Sequence, residues 1–173
     1  MKIQEAVTLI RNAGYDSIGP QTWLDLGCGA GTFTYALSEL LPEASKIYAV
    51  DQYPQKLQQE AGNQVTIEFV LSDFEIDEMD TDEHVTGVMM GNSLHYIKDK
   101  KAFLTNLFQR FSSIKQMIFI EYETKVANQW VPYPVTFAQL QDLLKMTKFK
   151  EVHKIAERPS VYGQGNMYVA AAR

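Results

Sequence analysis

The 173-residue sequence predicts an α/β fold, a doubly wound and mostly parallel sheet of seven strands forming a single domain, residues 1–173. Three observations predict it. Strand-like and helix-like stretches alternate along the chain. The first strand-like stretch runs straight into glycines at positions 27, 29 and 31. The last two strand-like stretches have no helix between them, so they form a hairpin and set the final strand antiparallel to the rest.

Each element follows from local pattern. Ile3, Val7 and Ile10 recur at helical spacing and Gly14 follows, which opens the chain with a short helix. Residues 22–26 read as a strand. Residues 32–41 place Phe33, Leu37, Leu40 and Leu41 on one helical face, with Pro42 as the stop. Residues 46–50 form a second apolar strand ending at Asp51, and residues 53–61 read as a helix closed by Gly62. Residues 65–70 and 85–90 are the next strands. Residues 100–111 carry a stripe of Phe103, Leu104, Leu107, Phe108 and Phe111, and residues 116–120 are an apolar strand. Thr136 with Gln139 makes a capping box for a helix bearing Phe137, Leu140, Leu143 and Leu144. Residues 152–156 and 167–172 are the closing strands, joined by the turn-rich residues 158–166.

Composition narrows the function classes. Hydrophobic residues at 46% and charged ones at 21% are globular proportions. The first eleven residues alternate apolar and polar side chains, which is no secretory leader, and no apolar run suits a bilayer. The single cysteine, Cys28, excludes a disulfide framework within the chain and points to a reducing cytoplasm. Residues 1–97 hold four Lys/Arg against fifteen Asp/Glu, and residues 98–173 hold twelve against six. An acidic half repels phosphates, and the basic residues of the other half are not clustered, so a nucleic-acid partner is not expected. No histidine has a second ligand at metal-binding spacing, so no metal is expected.

The segment Asp25-Leu26-Gly27-Cys28-Gly29-Ala30-Gly31 carries the chemistry. Glycines at alternate positions let the backbone turn sharply and let a ligand approach without meeting a Cβ. The helix that follows offers free N–H groups to a carboxylate. A nicotinamide dinucleotide fingerprint would put its third glycine where Thr32 stands, and would not ask for an acid two residues before the first glycine. Asp25 in that place disfavours a pyrophosphate and suits an ammonium. Asp51 ends the second strand, 24 residues after Gly27, where an acid accepts from both hydroxyls of a ribose or is simply solvated. Tyr53 either covers an adenine face or is an ordinary tyrosine. Asp73 either accepts from the adenine amino group or begins the exposed acidic run through residues 75–83.

Residues 24–34 (LDLGCGAGTFT), Asp51, Ser72-Asp73-Phe74 and Gly91-Asn92-Ser93-Leu94-His95-Tyr96 resemble, in order and spacing, the class I S-adenosylmethionine-dependent methyltransferases with their Rossmann-like fold. The resemblance continues to Arg158-Pro159-Ser160 and Met167-Tyr168, and is greatest to the UbiE-like type 11/12 small-molecule group. It implies S-adenosylmethionine as cofactor. Asp25, Gly27, Gly29 and Gly31 would hold its methionine and ribose end, Asp51 the ribose, Asp73 and Phe74 the adenine, and Asn92 would lie beside the sulfonium. Gln52 joins this cofactor-binding set. The chain has little room for the cap that family members often carry over the substrate. It has Asn92-Ser93-Leu94-His95 instead of the Asn/Asp-Pro-Pro-aromatic motif of amino-methylating DNA enzymes.

Methyl transfer needs an in-line nucleophile and, for many acceptors, a base. His95 follows the fourth strand at the sheet's carboxyl edge and is the catalytic candidate, with a packed histidine as the alternative. His84 and His153 begin strands, at the wrong end. Tyr96, Tyr122, Trp130 and Tyr133 are the candidate acceptor wall, with Glu121 and Tyr122 able to orient the acceptor; the loop around 127–134 could equally pack its own aromatics on the core. Tyr162 is a weaker wall candidate. The expected activity is methylation of a small molecule at oxygen, nitrogen or carbon. A cofactor-holding regulatory module without turnover, a protein or RNA methyltransferase, and a nicotinamide enzyme are the competing readings.

Overall fold

The computed structural model describes residues 1–15, 19–79, 81, 84–160 and 165–173. The elements run α1 (Ile3–Ile10), a 3₁₀ turn Arg11–Ala13, β1 (Thr22–Leu26), α2 (Thr32–Ser38), β2 (Lys46–Asp51), β3 (Glu60–Ala61), β4 (Val65–Leu71), β5 (Gly87–Gly91), a 3₁₀ turn Leu94–Tyr96, α3 (Lys100–Arg110), β6 (Gln116–Tyr122), α4 (Phe137–Lys145), β7 (Val152–Pro159) and β8 (Asn166–Ala172). One mixed sheet takes them in the order β3-β4-β2-β1-β5-β6-β8-β7. β1, β2, β4, β5 and β6 are parallel, and β8 lies antiparallel to both β6 and β7. The expected closing hairpin is therefore present, with its second strand inserted between β6 and β7.

Strand alternation builds two apolar layers. Leu24, Val88, Met90, Met117 and Phe119 face the layer that takes in α3 and α4 through Leu104, Leu107, Leu140 and Leu144. Trp23, Met89, Ile118 and Ile120 face the opposite layer with Val7 and Ile10 of α1 and Leu37 of α2. Trp23 is registered against Gly87, where a side chain on the glycine would collide with the indole. Thr136 and Gln139 form the expected capping box of α4. No helix among the described residues is long and apolar enough to cross a membrane.

Two expectations change. The helix expected over residues 53–61 is absent: the stretch is irregular and ends in β3, a two-residue eighth strand on the sheet edge. Pro54 fixes its own φ and pushes Tyr53 out of the helical region, and Leu57 and Ala61 are too few apolar residues to hold a helix down. The backbone bonds go elsewhere: Gln58 N–H donates to the Tyr35 hydroxyl at 2.9 Å, and Gln59 C=O accepts from Ile67 N–H at 2.8 Å. The second change is at α2, which ends at Ser38, the remaining residues to 41 continuing as turns in which Leu40 and Leu41 N–H both donate to Leu37 C=O.

The chain leaves β1 toward β2 and β4 on one side and returns to β5 and β6 on the other. The reversal between β1 and β5 puts the two following loops side by side at the carboxyl edge, where such sheets bind ligands.

Candidate active site

The turn after β1 is held open by its own backbone. Gly27 and Cys28 N–H both donate to Val50 C=O at 2.8 and 3.0 Å, and Gly31 N–H donates to Cys28 C=O at 3.0 Å. Gly27, Gly29 and Gly31 have φ of +81°, +50° and +82°, values that side chains rarely adopt. A Cβ on Gly29 would meet nothing within 4 Å, whereas one on Gly27 would lie 2.5 Å from Ser93 Cβ. So Gly29 presents bare backbone to open space, and Gly27 is bare because the loop after β5 presses on it. That loop is pinned by Ser93 Oγ, which donates to Leu26 C=O at 2.5 Å, and by Asn92 N–H, which donates to Ile120 C=O at 2.8 Å. Asn92 sits at φ +57°, and its buried Oδ1 has no hydrogen-bond partner, two marks of a position shaped for something besides folding.

Two cavities open here. One, of about 460 Å³, is walled by residues 27–30, Gly91, Asn92, Phe33 and Arg158. The other, of about 730 Å³, is walled by Asn92, His95, Tyr96, Tyr122, Trp130 and Val131. They share Asn92, Tyr122 and Ser160.

The expected cofactor residues divide by place. Gly27, Gly29 and Asn92 line the smaller cavity. Asp51 lies on the other side of the turn, its Oδ2 accepting from Gly29 N–H at 2.9 Å and its Oδ1 from Tyr53 N–H at 2.9 Å. Phe74 reaches toward Gly27, and its ring stands edge-on to Phe103 with centroids 5.9 Å apart. Asp73 holds its own loop, accepting from Glu75 N–H at 3.1 Å, and Gln52 and Tyr53 are exposed. Gly31 carries the turn into α2. Asp25 is buried beneath the turn, away from both cavities, and accepts from Thr34 Oγ1 at 2.6 Å. Burial pushes its carboxyl up to about 7, against the Thr34 hydrogen bond and with the charge of Asp51 adding to the rise.

His95 lines the larger cavity, and Glu121 is buried behind it. Their side chains are 2% and 1% exposed, and His95 Nδ1 lies 2.6 Å from Glu121 Oε2. Glu121 Oε1 accepts from His95 N–H at 3.2 Å. An ionised carboxylate can only accept, so Nδ1 carries the proton of this hydrogen bond, and in the neutral imidazole the lone pair falls on Nε2. Glu121, expected to orient the acceptor, lines neither cavity, and its two oxygens contact His95. Among the described residues Nε2 has no protein partner. Tyr96 and Tyr122 flank the imidazole, with ring centroids 4.5 and 6.0 Å away.

Of the expected acceptor wall, Tyr96, Tyr122 and Trp130 line the cavity. Asn128 builds the turn that presents Trp130, its Oδ1 accepting from Trp130 and Val131 N–H at 2.8 and 3.0 Å. Tyr133 stands outside the wall and acts through its backbone, its N–H donating to His95 C=O at 3.0 Å. His84 and His153 are exposed and remote from both cavities. Tyr162 lies outside the described residues. Sequence reasoning missed the grip of Glu121 on His95 and the place of Arg158 in the smaller cavity. No local motif joins residues 26 positions apart, and Arg158 enters because β7 runs on to Pro159.

The residues present fit S-adenosylmethionine: bare backbone at Gly29, an orphaned amide at Asn92, a nearby acid at Asp51 and a guanidinium at Arg158 for its amino-acid end.

A methyltransferase domain family matches residues 21–168. No curated protein matches the chain. Among solved structures, the 1,6-didemethyltoxoflavin-N1-methyltransferase of Burkholderia thailandensis, with bound 1,6-didemethyltoxoflavin and S-adenosylhomocysteine, is 22% identical with a TM-score of 0.66, covering 99% of this chain and 77% of its own. Magnesium protoporphyrin IX methyltransferase from Synechocystis, with bound S-adenosylmethionine, is 15% identical with a TM-score of 0.63, covering 98% and 76%. An S-adenosylmethionine-dependent methyltransferase from Aquifex aeolicus is 18% identical with a TM-score of 0.59, covering 99% and 98%. These similarities bear on the fold, and the family match takes in the glycine turn, the loop after β5 and the last strands. The chain belongs to the methyltransferase domain family, and it is a class I S-adenosylmethionine-dependent methyltransferase.

Proposed function

We propose that the chain moves a methyl group from S-adenosylmethionine to a small-molecule acceptor held in the larger cavity, as a single-domain cytoplasmic enzyme of the UbiE-like kind. The observation that carries this reading is the meeting of the two cavities at Asn92, Tyr122 and Ser160. The glycine turn, Asn92, Asp51 and Arg158 hold the cofactor on one side, and Asp73 and Phe74 receive its adenine. The cofactor supplies an electrophilic methyl carbon; the protein positions the acceptor and keeps water away. His95 takes the acceptor's proton through Nε2, with Glu121 holding the ring in place.

A small-molecule acceptor is favoured because the cavity wall includes no basic residue among those described, which leaves a nucleic-acid backbone without counter-charge. The small molecule bound to the Burkholderia relative supports the same choice. Incubation of the purified chain with methyl-labelled S-adenosylmethionine and a fractionated metabolite pool tests the reading. Label is expected in a low-molecular-weight fraction. Label in RNA or protein alone, or in nothing despite cofactor binding, would overturn it.

A further inference from the structure

We infer that the acceptor is an uncharged, flat ring compound whose reacting oxygen or ring nitrogen carries a proton, and that the His95–Glu121 pair removes that proton as the methyl group is transferred. This rests on the methyltransferase reading above and adds the class of substrate. Two independent observations carry it: the make-up of the cavity wall, and the buried carboxylate that holds the one histidine in it.

The wall of the larger cavity holds aromatic and aliphatic side chains with a few neutral polar ones, and no Lys, Arg, Asp or Glu among the described residues. A carboxylate or phosphate entering it finds no cation, and an alkylammonium finds no carboxylate, since Glu121 is sealed behind His95. A charge entering it gives up water without gaining a counter-charge. Tyr96 and Tyr122 flank the imidazole, and Trp130 lines the same cavity, so the space beside His95 is bordered by aromatic rings. Ring systems are the shape that such walls hold best. The volume of about 730 Å³ is ample for two or three fused rings.

The buried pair supplies the chemistry. The acceptor's O–H or N–H bond breaks and its proton passes to Nε2. The electron pair left on the acceptor forms the new bond to the methyl carbon, and the methyl–sulfur bond breaks with its pair returning to sulfur. One positive charge disappears from sulfur and one appears on the imidazole, where the Glu121 carboxylate balances it. The imidazole then loses its proton to water. A neutral acceptor without such a proton would leave this buried acid–base pair without a task.

The probe is 4-nitrophenol, whose phenolate absorbs in the visible, titrated into the complex with S-adenosylhomocysteine. Binding at least about tenfold tighter than 4-nitrobenzoate and 4-nitrobenzylamine is expected, with a larger ionised fraction bound than free at the same pH. His95→Gln is expected to bind the probe without the extra phenolate signal. Glu121→Gln, which keeps a carbonyl for the His95 N–H, is expected to move the pH midpoint of that signal while leaving homocysteine-cofactor affinity unchanged. Either charged probe binding as well as the phenol, or an equal phenolate signal in His95→Gln, would overturn the inference. Failure of S-adenosylhomocysteine itself to bind, read by calorimetry before any probe is added, would instead overturn the methyltransferase reading.

Discussion

Asp51 Oδ2 accepts the backbone N–H of Gly29 at 2.9 Å, so the tip of β2 and the barest point of the glycine turn are held as one piece. In the proposed function the same carboxylate receives ribose hydroxyls. Asp51→Ala therefore removes two supports at once and is expected to weaken S-adenosylhomocysteine binding by about 1.5–3 kcal/mol. Isothermal calorimetry measures it, and an affinity within about twofold of the parent would take Asp51 out of the cofactor site.

The glycines of the turn separate fold from function. A Cβ on Gly29 points into open space, so Gly29→Ala costs only the strain of φ +50°, about 1–2 kcal/mol, while occupying the ligand's path. Gly27→Ala drives a Cβ to 2.5 Å from Ser93 Cβ and disturbs the Ser93 bond to Leu26, at about 2–4 kcal/mol. Thermal unfolding should rank Gly27→Ala as the less stable, and cofactor titration should show Gly29→Ala folded but binding poorly. Full affinity in Gly29→Ala would mean that the ligand does not pass there.

Asp25 gives the stability a pH dependence. Buried and pushed up to about 7, its carboxyl keeps in the folded state a proton that the unfolded chain releases near the ordinary carboxylate value of about 4. Its contribution is whole below that lower value, declines as pH rises toward 7, and is flat above it, a span of roughly 4 kcal/mol at most. Urea unfolding at pH 5 and at pH 8 should show this loss, and Asp25→Asn should be less pH-sensitive across the same interval. An identical slope in the variant would mean that another group sets it.

Lys100 staples the acceptor loop. Its ammonium donates to Ile97 C=O and to Tyr133 C=O, each at 2.7 Å, and Tyr133 in turn bonds His95. Burial holds its pKa below the usual lysine value, with Glu121 and Glu75 pulling the other way. Lys100→Met is expected to cost about 1–2 kcal/mol and to speed protease cleavage between residues 124 and 134. Unchanged cleavage would show that the Asn128 turn holds the loop unaided.

The parts of this molecule that depend on nearby residues were readable from the sequence, and those that depend on distant ones were not. Thr136 and Gln139 announce α4 because a capping box is complete within four residues. Gly27, Gly29 and Gly31 announce the turn because each needs a positive φ. Residues 53–61 misled because Lys56, Leu57 and Gln58 are good helix formers, while Pro54 and the Tyr35 hydroxyl, 23 positions from Gln58, decide otherwise. The aromatic wall was legible as a loop rich in rings, yet Tyr133 differs from Tyr122 and Trp130 only in which way the chain is turned. His95 was visible as a candidate by its place after a strand. What holds its ring is a carboxylate on the neighbouring strand, and strand order is written nowhere in the local pattern.

The insertion of β8 between β6 and β7 has a consequence for biosynthesis. A chain emerging from the ribosome delivers the glycine turn, His95 and Glu121 well before residues 166–172, yet Glu121 is registered against Tyr168 and β7 has no other neighbour to join. Until that stretch threads in, a nascent molecule exposes raw strand margins at β6 and β7 and is sticky. Those margins are covered in one late step of zipping, and quality control needs to shield the newborn chain only until then.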